Sequence, residues 1–400
     1  MKIKLVLILM FLLALCLPAF GQTSAEDWYD KGLDLMMQGK FNESLEAYNK
    51  SIDLNNSCAE AWNYKGIALF ILSNYEEALQ AHEKAIDLSP AYAMAWYGKG
   101  KALAAQRKND EAIKSFDRTL EIDFKFADAW NAKGQILASQ GKHDEAVNAF
   151  DQAIAINLKY DDAYKNKGLS LGILGNYDKA LKAFTRATEI NPKNVVAWYY
   201  KGLILSNEGK LDEAIACYET VIDINPRIAE AWHAKGLALK HQGKSDDALK
   251  AYDKSLELNP NQFEAWNSKG MISYLIGNYS ESLNASERAL ELNPKYAAAW
   301  DTRGISLAAV GRYEEAIESF DEALKLQPSI AEGWLHKAEA FSHLGRFNES
   351  LEAYEIAIEL NPKYSDAWKG KADAFQELGR DIDAKELQPK QKNTFNPYPP

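Results

Sequence analysis

The residues of this chain that could do chemistry are six histidines, at 82, 143, 233, 241, 336 and 343, three cysteines and many carboxylates. His233 and His241 fall on one face of a single helical stretch. At 1.5 Å per residue they stand about 12 Å apart, too far to share one zinc ion. His336 and His343 have the same problem. The carboxylates recur at fixed offsets rather than in convergent pairs. One set (Glu43, Glu77, Glu111, Glu145, Glu213, Asp247, Glu281, Glu315 and Glu349) falls where a helix begins, and there an acid favours the helix dipole. The chain has no phosphate-binding glycine loop, no HExxH, no CxxC and no GxSxG. No catalytic set, cofactor or metal is implied, and the expectation is a protein that is not an enzyme.

The repeated offsets direct attention to the elements that carry them. Tryptophan stands at 28, 62, 96, 130, 198, 232, 266, 300, 334 and 368, a spacing of 34 residues in which Tyr164 fills the vacant place. Self-similarity at a fixed period means one supersecondary unit stacked many times. In Ala298–Pro328, counting Trp300 as zero, glycine occurs at +4 and +11 (Gly304, Gly311). Alanine follows at +16 (Ala316), an aromatic at +20 (Phe320) and proline at +28 (Pro328). Trp, the +4 glycine and the +7 leucine share one helical face. The +11 glycine suits a left-handed helix end. The Asn-Pro pairs, such as Asn191-Pro192, stop the second helix. Ser73 and Arg107 replace the +11 glycine, which predicts less sharp turns there.

This spacing and these residue types resemble the tetratricopeptide repeat, a helix-turn-helix unit of 34 residues, from about Ala25 to Gln388. The resemblance implies an all-α fold, a superhelical solenoid of stacked antiparallel helix pairs. Ten repeats are expected over 25–364, with a partial repeat acting as a capping helix over 365–388 and a disordered tail over 389–400. Where the family usually has leucine at +3, this chain has lysine or arginine, from Lys31 to Lys371. Their stems can pack while their heads reach water, and acids at +21, from Glu83 to Glu355, are expected to pair with them.

The resemblance also implies that partners bind on the first helix, in a concave groove. Offsets −2, +1, +5, +8 and +9 cluster between about 80° and 180° from the tryptophan, and these positions vary from repeat to repeat. Repeat 1 offers Tyr29, Leu33, Met36 and Met37; repeat 2 offers Asn63, Ile67, Phe70 and Ile71. Repeats 3 and 4 read as small and polar, with Ala104, Ala105, Gln135, Ala138 and Ser139. Repeat 7 has His233, Lys240 and His241, and repeat 8 returns to Met271, Tyr274 and Leu275. Repeats 1 and 2 form the most apolar stretch, fit for an amphipathic helix or an extended peptide. Self-association through the uncapped N-terminal repeat is the other reading of the same patch. A subset of the family clamps a terminal carboxylate with lysine at +1 and asparagine at +5. Here +5 is never asparagine, so that clamp does not transfer.

The ends and the charge complete the reading. Lys2 and Lys4, the apolar run Leu5–Leu17, Pro18 and the small residues before Gln22 read as a signal peptide over 1–21, followed by a short segment over 22–24. The run is short for a membrane span, so a membrane is implied only if the segment is retained as an anchor. The net charge of −11 argues against nucleic acid, which calls for clustered basic residues. Cys58 and Cys217 lie several repeats apart, so no disulfide framework is expected. Asn42, Asn49, Asn55, Asn278, Asn284 and Asn348 begin glycosylation sequons, open to use in an exported chain. The expected function is a non-enzymatic scaffold, secreted or associated with the cell envelope, that binds protein or peptide partners. A structural, glycosylated envelope protein and an enzyme with an unrecognised site are the alternatives.

Overall fold

The computed structural model describes residues 23–380 and Ala384. The expected signal segment, the tail from 389 and the end of the last repeat (381–388, apart from Ala384) lie outside the described residues. Among the described residues there are 21 helices and no strand. Shorter first helices alternate with longer second ones, as in Ala297–Ala309 (13 residues) and Tyr313–Leu326 (14 residues). The chain divides into two compact units, 1–197 and 198–400. Within each, a first helix packs on its own second helix, and that helix packs on the next first helix.

The repeat pattern has a physical cause at each position. A Cβ built on Gly100 would come within 2.5 Å of the Phe116 ring. Only glycine at +4 lets that fully buried ring lie against the backbone of its partner helix. The tryptophans tie down the loops that precede them. The Trp96 indole N–H donates to the Pro90 carbonyl at 2.9 Å, and Trp300 does the same to Pro294 at 2.9 Å. Position +28 of one repeat is thereby fixed by the tryptophan of the next. At +11 the glycines are left-handed, Gly141 having φ 77°.

Ser73 (φ 66°) and Arg107 (φ 61°) adopt the same left-handed geometry, which corrects the expectation of looser turns. Arg107 N donates to Ala104 O at 2.9 Å and Lys108 N to Leu103 O at 2.9 Å. In the glycine turn the matching bonds are Gly141 to Ala138 (3.0 Å) and Lys142 to Leu137 (2.9 Å). The helices on either side fix the path of the chain, and the side chain bears the strain.

The basic +3 positions face the second helices as expected. Lys99 Nζ lies 2.8 Å from Glu83, Lys235 2.8 Å from Glu219 and Lys371 2.7 Å from Glu355. The chain's first described helix opens with a capping box. Ser24 Oγ accepts from Asp27 N at 3.1 Å, and the Asp27 carboxylate accepts from Ser24 N at 2.7 Å. At the other end, Lys369, Asp373, Gln376 and Glu377 of Ser365–Glu377 are exposed.

Repeat 8 departs from the rule. Ser286 holds its aromatic place and Ser273 its leucine place, and both are buried. With no ring between the helices, a Cβ on Gly270 would meet Ser282 O at 3.3 Å, the Thr302 methyl at 3.3 Å and Ser286 N at 3.5 Å. The Ser273 hydroxyl has no hydrogen-bond partner among the described residues.

Candidate functional site

Of the expected face residues of the N-terminal unit, Ile67 and Phe70 meet at one cavity. Leu33, Met36, Ile67 and Phe70 are half-buried, while Met37 and Ile71 are exposed, Met37 at 80%. Tyr29 is drawn inward, its ring centroid 6.1 Å from Tyr48 and 5.9 Å from Tyr64.

Asn63 does not belong to the open face: it is fully buried. Its Nδ2 donates to the Tyr92 hydroxyl at 3.3 Å, and its Oδ1 lies 3.1 Å from His82 Nδ1. The cause is general to +1. Asn131 is bonded to Tyr160 and Asn166, His233 to Ser268 and Asp301 to His336, in each case across to the next repeat. Position +1 is a seam between repeats, because the next first helix and its preceding loop cover that flank.

A cavity of about 110 Å³ opens beside Phe70, lined by Ile67, Phe70, His82, Met94, Tyr97 and Lys101. The Lys101 ammonium sits 4.6 Å from the centre of the Phe70 ring. The sequence reading missed Met94 and Tyr97, although they occupy −2 and +1 of repeat 3. It judged that repeat on Ala104 and Ala105 alone. His82 was counted among the histidines but not placed in the repeat. It takes the aromatic +20 place of repeat 2, and its ring lies between Gly66 and Gly98. Burial first, and Lys101 second, push its pKa down to about 4.

In the C-terminal unit, Met271 and Tyr274 are half-buried and Leu275 is exposed. A second cavity, of about 200 Å³, adjoins Tyr274 and reaches Ile305, Tyr313, Phe320, His336, Glu339 and His343. His233 of this unit is buried enough to bring its pKa down to about 4. Among the described residues no three His, Cys, Asp or Glu side chains gather as metal ligands would. No helix among them is long and apolar enough to cross a membrane. Cys58 and Cys217 are free thiols.

Of the sequon asparagines, Asn42, Asn55, Asn278, Asn284 and Asn348 are exposed and Asn49 is half-buried. The serines completing four of these sequons (Ser44, Ser51, Ser286, Ser350) are buried. Ser44 and Ser350 fill the small +16 place and donate to the +4 carbonyls, at 2.8 Å to Gly32 and 2.9 Å to Ala338. Packing accounts for those serines without any sugar.

A helix pair repeated every 34 residues, with its variable side chains on the first helix, defines a protein-interaction scaffold. Models of the tetratricopeptide repeat match residues 29–93, 73–124, 97–161, 161–194, 195–228, 229–262, 251–284, 297–330 and 331–364. The chain belongs to the tetratricopeptide repeat family. No curated protein matches it. Similar solved structures include YrrB, described as a TPR protein with an unusual peptide-binding site. That match is 26% identical over 48% of this chain and 98% of YrrB, with a TM-score of 0.44. Yeast Tom70 is 15% identical over 92% of both chains, with a TM-score of 0.42. The Cut9–Hcn1 hetero-tetramer of the APC/C is 13% identical over 94% of this chain and 97% of that one, with a TM-score of 0.45.

Proposed function

We propose that this chain is a non-catalytic scaffold whose first-helix face forms a groove for a peptide segment of a protein partner. The apolar cavity of repeats 2 and 3 receives one side chain of that segment. The observation that carries this reading is the cavity itself, open between Phe70, Ile67, Met94 and Tyr97 on a face that also exposes Met37 and Ile71. Filling it with a leucine-sized side chain is worth roughly 1.5–3 kcal/mol, enough to anchor a peptide and set its register. A random peptide library selected on the immobilised protein tests this. Enriched peptides are expected to share a bulky apolar residue and to lose binding on Phe70→Ala. If the Phe70→Ala protein retains the same peptides, the cavity is not the anchor. If instead the chain is a dimer that Met37→Lys dissolves, a second copy covers the patch.

We infer further that the chain is exported, on the Lys-apolar-Pro-small pattern of residues 1–21. It then acts as a secreted or envelope-associated protein. N-terminal sequencing of the native protein should begin at Gln22; a retained Met1 leaves only the anchored form.

A further inference from the structure

We propose that the cavity of repeats 8–10 is the seat of one cationic side chain, an arginine or lysine of the bound partner. The inference rests on the reading that the first-helix face receives partners, and not on the N-terminal cavity.

Size is the first argument. About 200 Å³ falls below the roughly 300–1,000 Å³ of small-molecule pockets, so the site accepts one long side chain. Its walls come second. Tyr274, Tyr313 and Phe320 present rings, and Ile305 and Ala308 complete an apolar sleeve suited to a methylene stem. The Tyr313 ring is held by His343, stacked 4.7 Å away at 11°. Aromatic walls attract a cation within about 6 Å of a ring centre, and more strongly where water is excluded.

Charge decides between occupants. Glu339 is open to the cavity and has no hydrogen bond or ion pair to another described residue. Burial first raises its pKa, and Asp366 adds to this against His336 and His343. Glu339 keeps an exposed edge, and no cation of the described residues hydrogen-bonds or ion-pairs with its carboxylate. His336 and His343 offset part of its charge through space, but neither bonds to it, and the Nδ1 of His336 is 3.0 Å from Asp301 instead. Burial opposes the charge on His336, yet Asp301, Glu339 and Glu332 outweigh burial and raise its pKa. The same field reaches Tyr364. Burial first, then Glu332, Asp366, Glu339 and Asp301, raise its pKa to about 12. Lys337, on the helix of Glu339 itself, and Lys371, on the next first helix, are paired away with Asp321 and Glu355. The exposed Lys369 makes no ion pair with Glu339. The missing element is a cation from outside. The cavity of repeats 2 and 3 is the opposite case, with Lys101 at its wall and no carboxylate.

The test uses the full chain with 13C-labelled isoleucine methyls, since Ile305 lines this cavity and Ile67 the other. The probes are the capped tripeptides Ala-Arg-Ala, Ala-citrulline-Ala and Ala-Leu-Ala. The arginine probe is expected to shift Ile305 saturably, and the neutral citrulline isostere at least fivefold more weakly. The charge-removing variant Glu339→Gln, at an exposed position that does not threaten folding, should weaken the arginine probe to the citrulline level. Equal responses to arginine and citrulline, or no change in Glu339→Gln, overturn the proposal. The leucine probe reads the other cavity. If Ile67 ignores it while Ile305 answers arginine, the apolar anchor falls and the cation seat stands.

Discussion

Acidification should destabilise the N-terminal unit through His82, by an amount the structure allows to be worked out. The ring is fully buried between Gly66 and Gly98, with Nδ1 3.1 Å from the Asn63 amide oxygen. That oxygen only accepts, so Nδ1 carries the hydrogen and a second proton must go to Nε2. The ring is packed between the two glycines and Nε2 has no hydrogen-bond acceptor among the described residues, with Lys101 adding repulsion. The pKa accordingly falls from 6.5 to about 4. Between those values the unfolded chain binds a proton that the folded chain does not, so stability falls as pH falls. At about 1.36 kcal/mol per pH unit, the loss between pH 7 and pH 4 is roughly 3 kcal/mol. Hydrogen exchange of helix Tyr75–Leu88, converted to local opening free energies, reads it. His82→Phe supplies the ring that other repeats use. It leaves Asn63 short of a partner, at a pH-independent cost of about 1–3 kcal/mol, so the pH slopes are compared and not the absolute values. Equal slopes in the two proteins would refute the reasoning.

Arg107→Gly should stabilise the chain by up to ~1 kcal/mol in urea denaturation, because it relieves a left-handed residue whose strain is about 1–2 kcal/mol. Gly100→Ala should cost ~1–3 kcal/mol by the same measurement, since its methyl would meet the Phe116 ring, which cannot move aside. Lys133→Met should change stability by less than ~1 kcal/mol despite a 2.5 Å pair with Asp117. The pair is partly open to water, so a larger loss in thermal denaturation would show that the ladder carries stability rather than register.

The tryptophan register made the helices legible, because one large side chain per turn-and-return both packs and bonds the preceding loop. The apolar face was readable for the same reason: Ile67, Phe70 and Tyr274 stand at angles that a helical wheel supplies. Asn63 was misplaced because a wheel measures direction from one axis and cannot say which neighbouring helix lies across it. Tyr92, in the loop before repeat 3, is what covers that direction. Met94, Tyr97 and Glu339 stood at readable offsets, yet their value depends on cavities shared between repeats, two repeats for the first pair and three for Glu339. Ser73 and Arg107 were misjudged because residue preference was taken to set the turn, whereas the flanking helices do.

Repeat 8 has a consequence for how the chain carries load. An array of this kind holds together through the energies of its individual repeats and of each join to a neighbour. Seven described repeats keep a fully buried aromatic at the core, a group whose removal typically costs ~3–5 kcal/mol. Ser286 contributes nothing of that size, and the unsatisfied Ser273 hydroxyl subtracts from what remains. Repeats 6 and 7 on one side and 9 to 11 on the other are therefore less tightly bound to each other's fate than the even spacing of the sequence implies. A pull on the chain, or a protease waiting for an opening, meets in repeat 8 a pair of helices joined by small side chains and by the Ser282 hydroxyl on the Gly270 carbonyl, at 2.7 Å, in place of a buried ring.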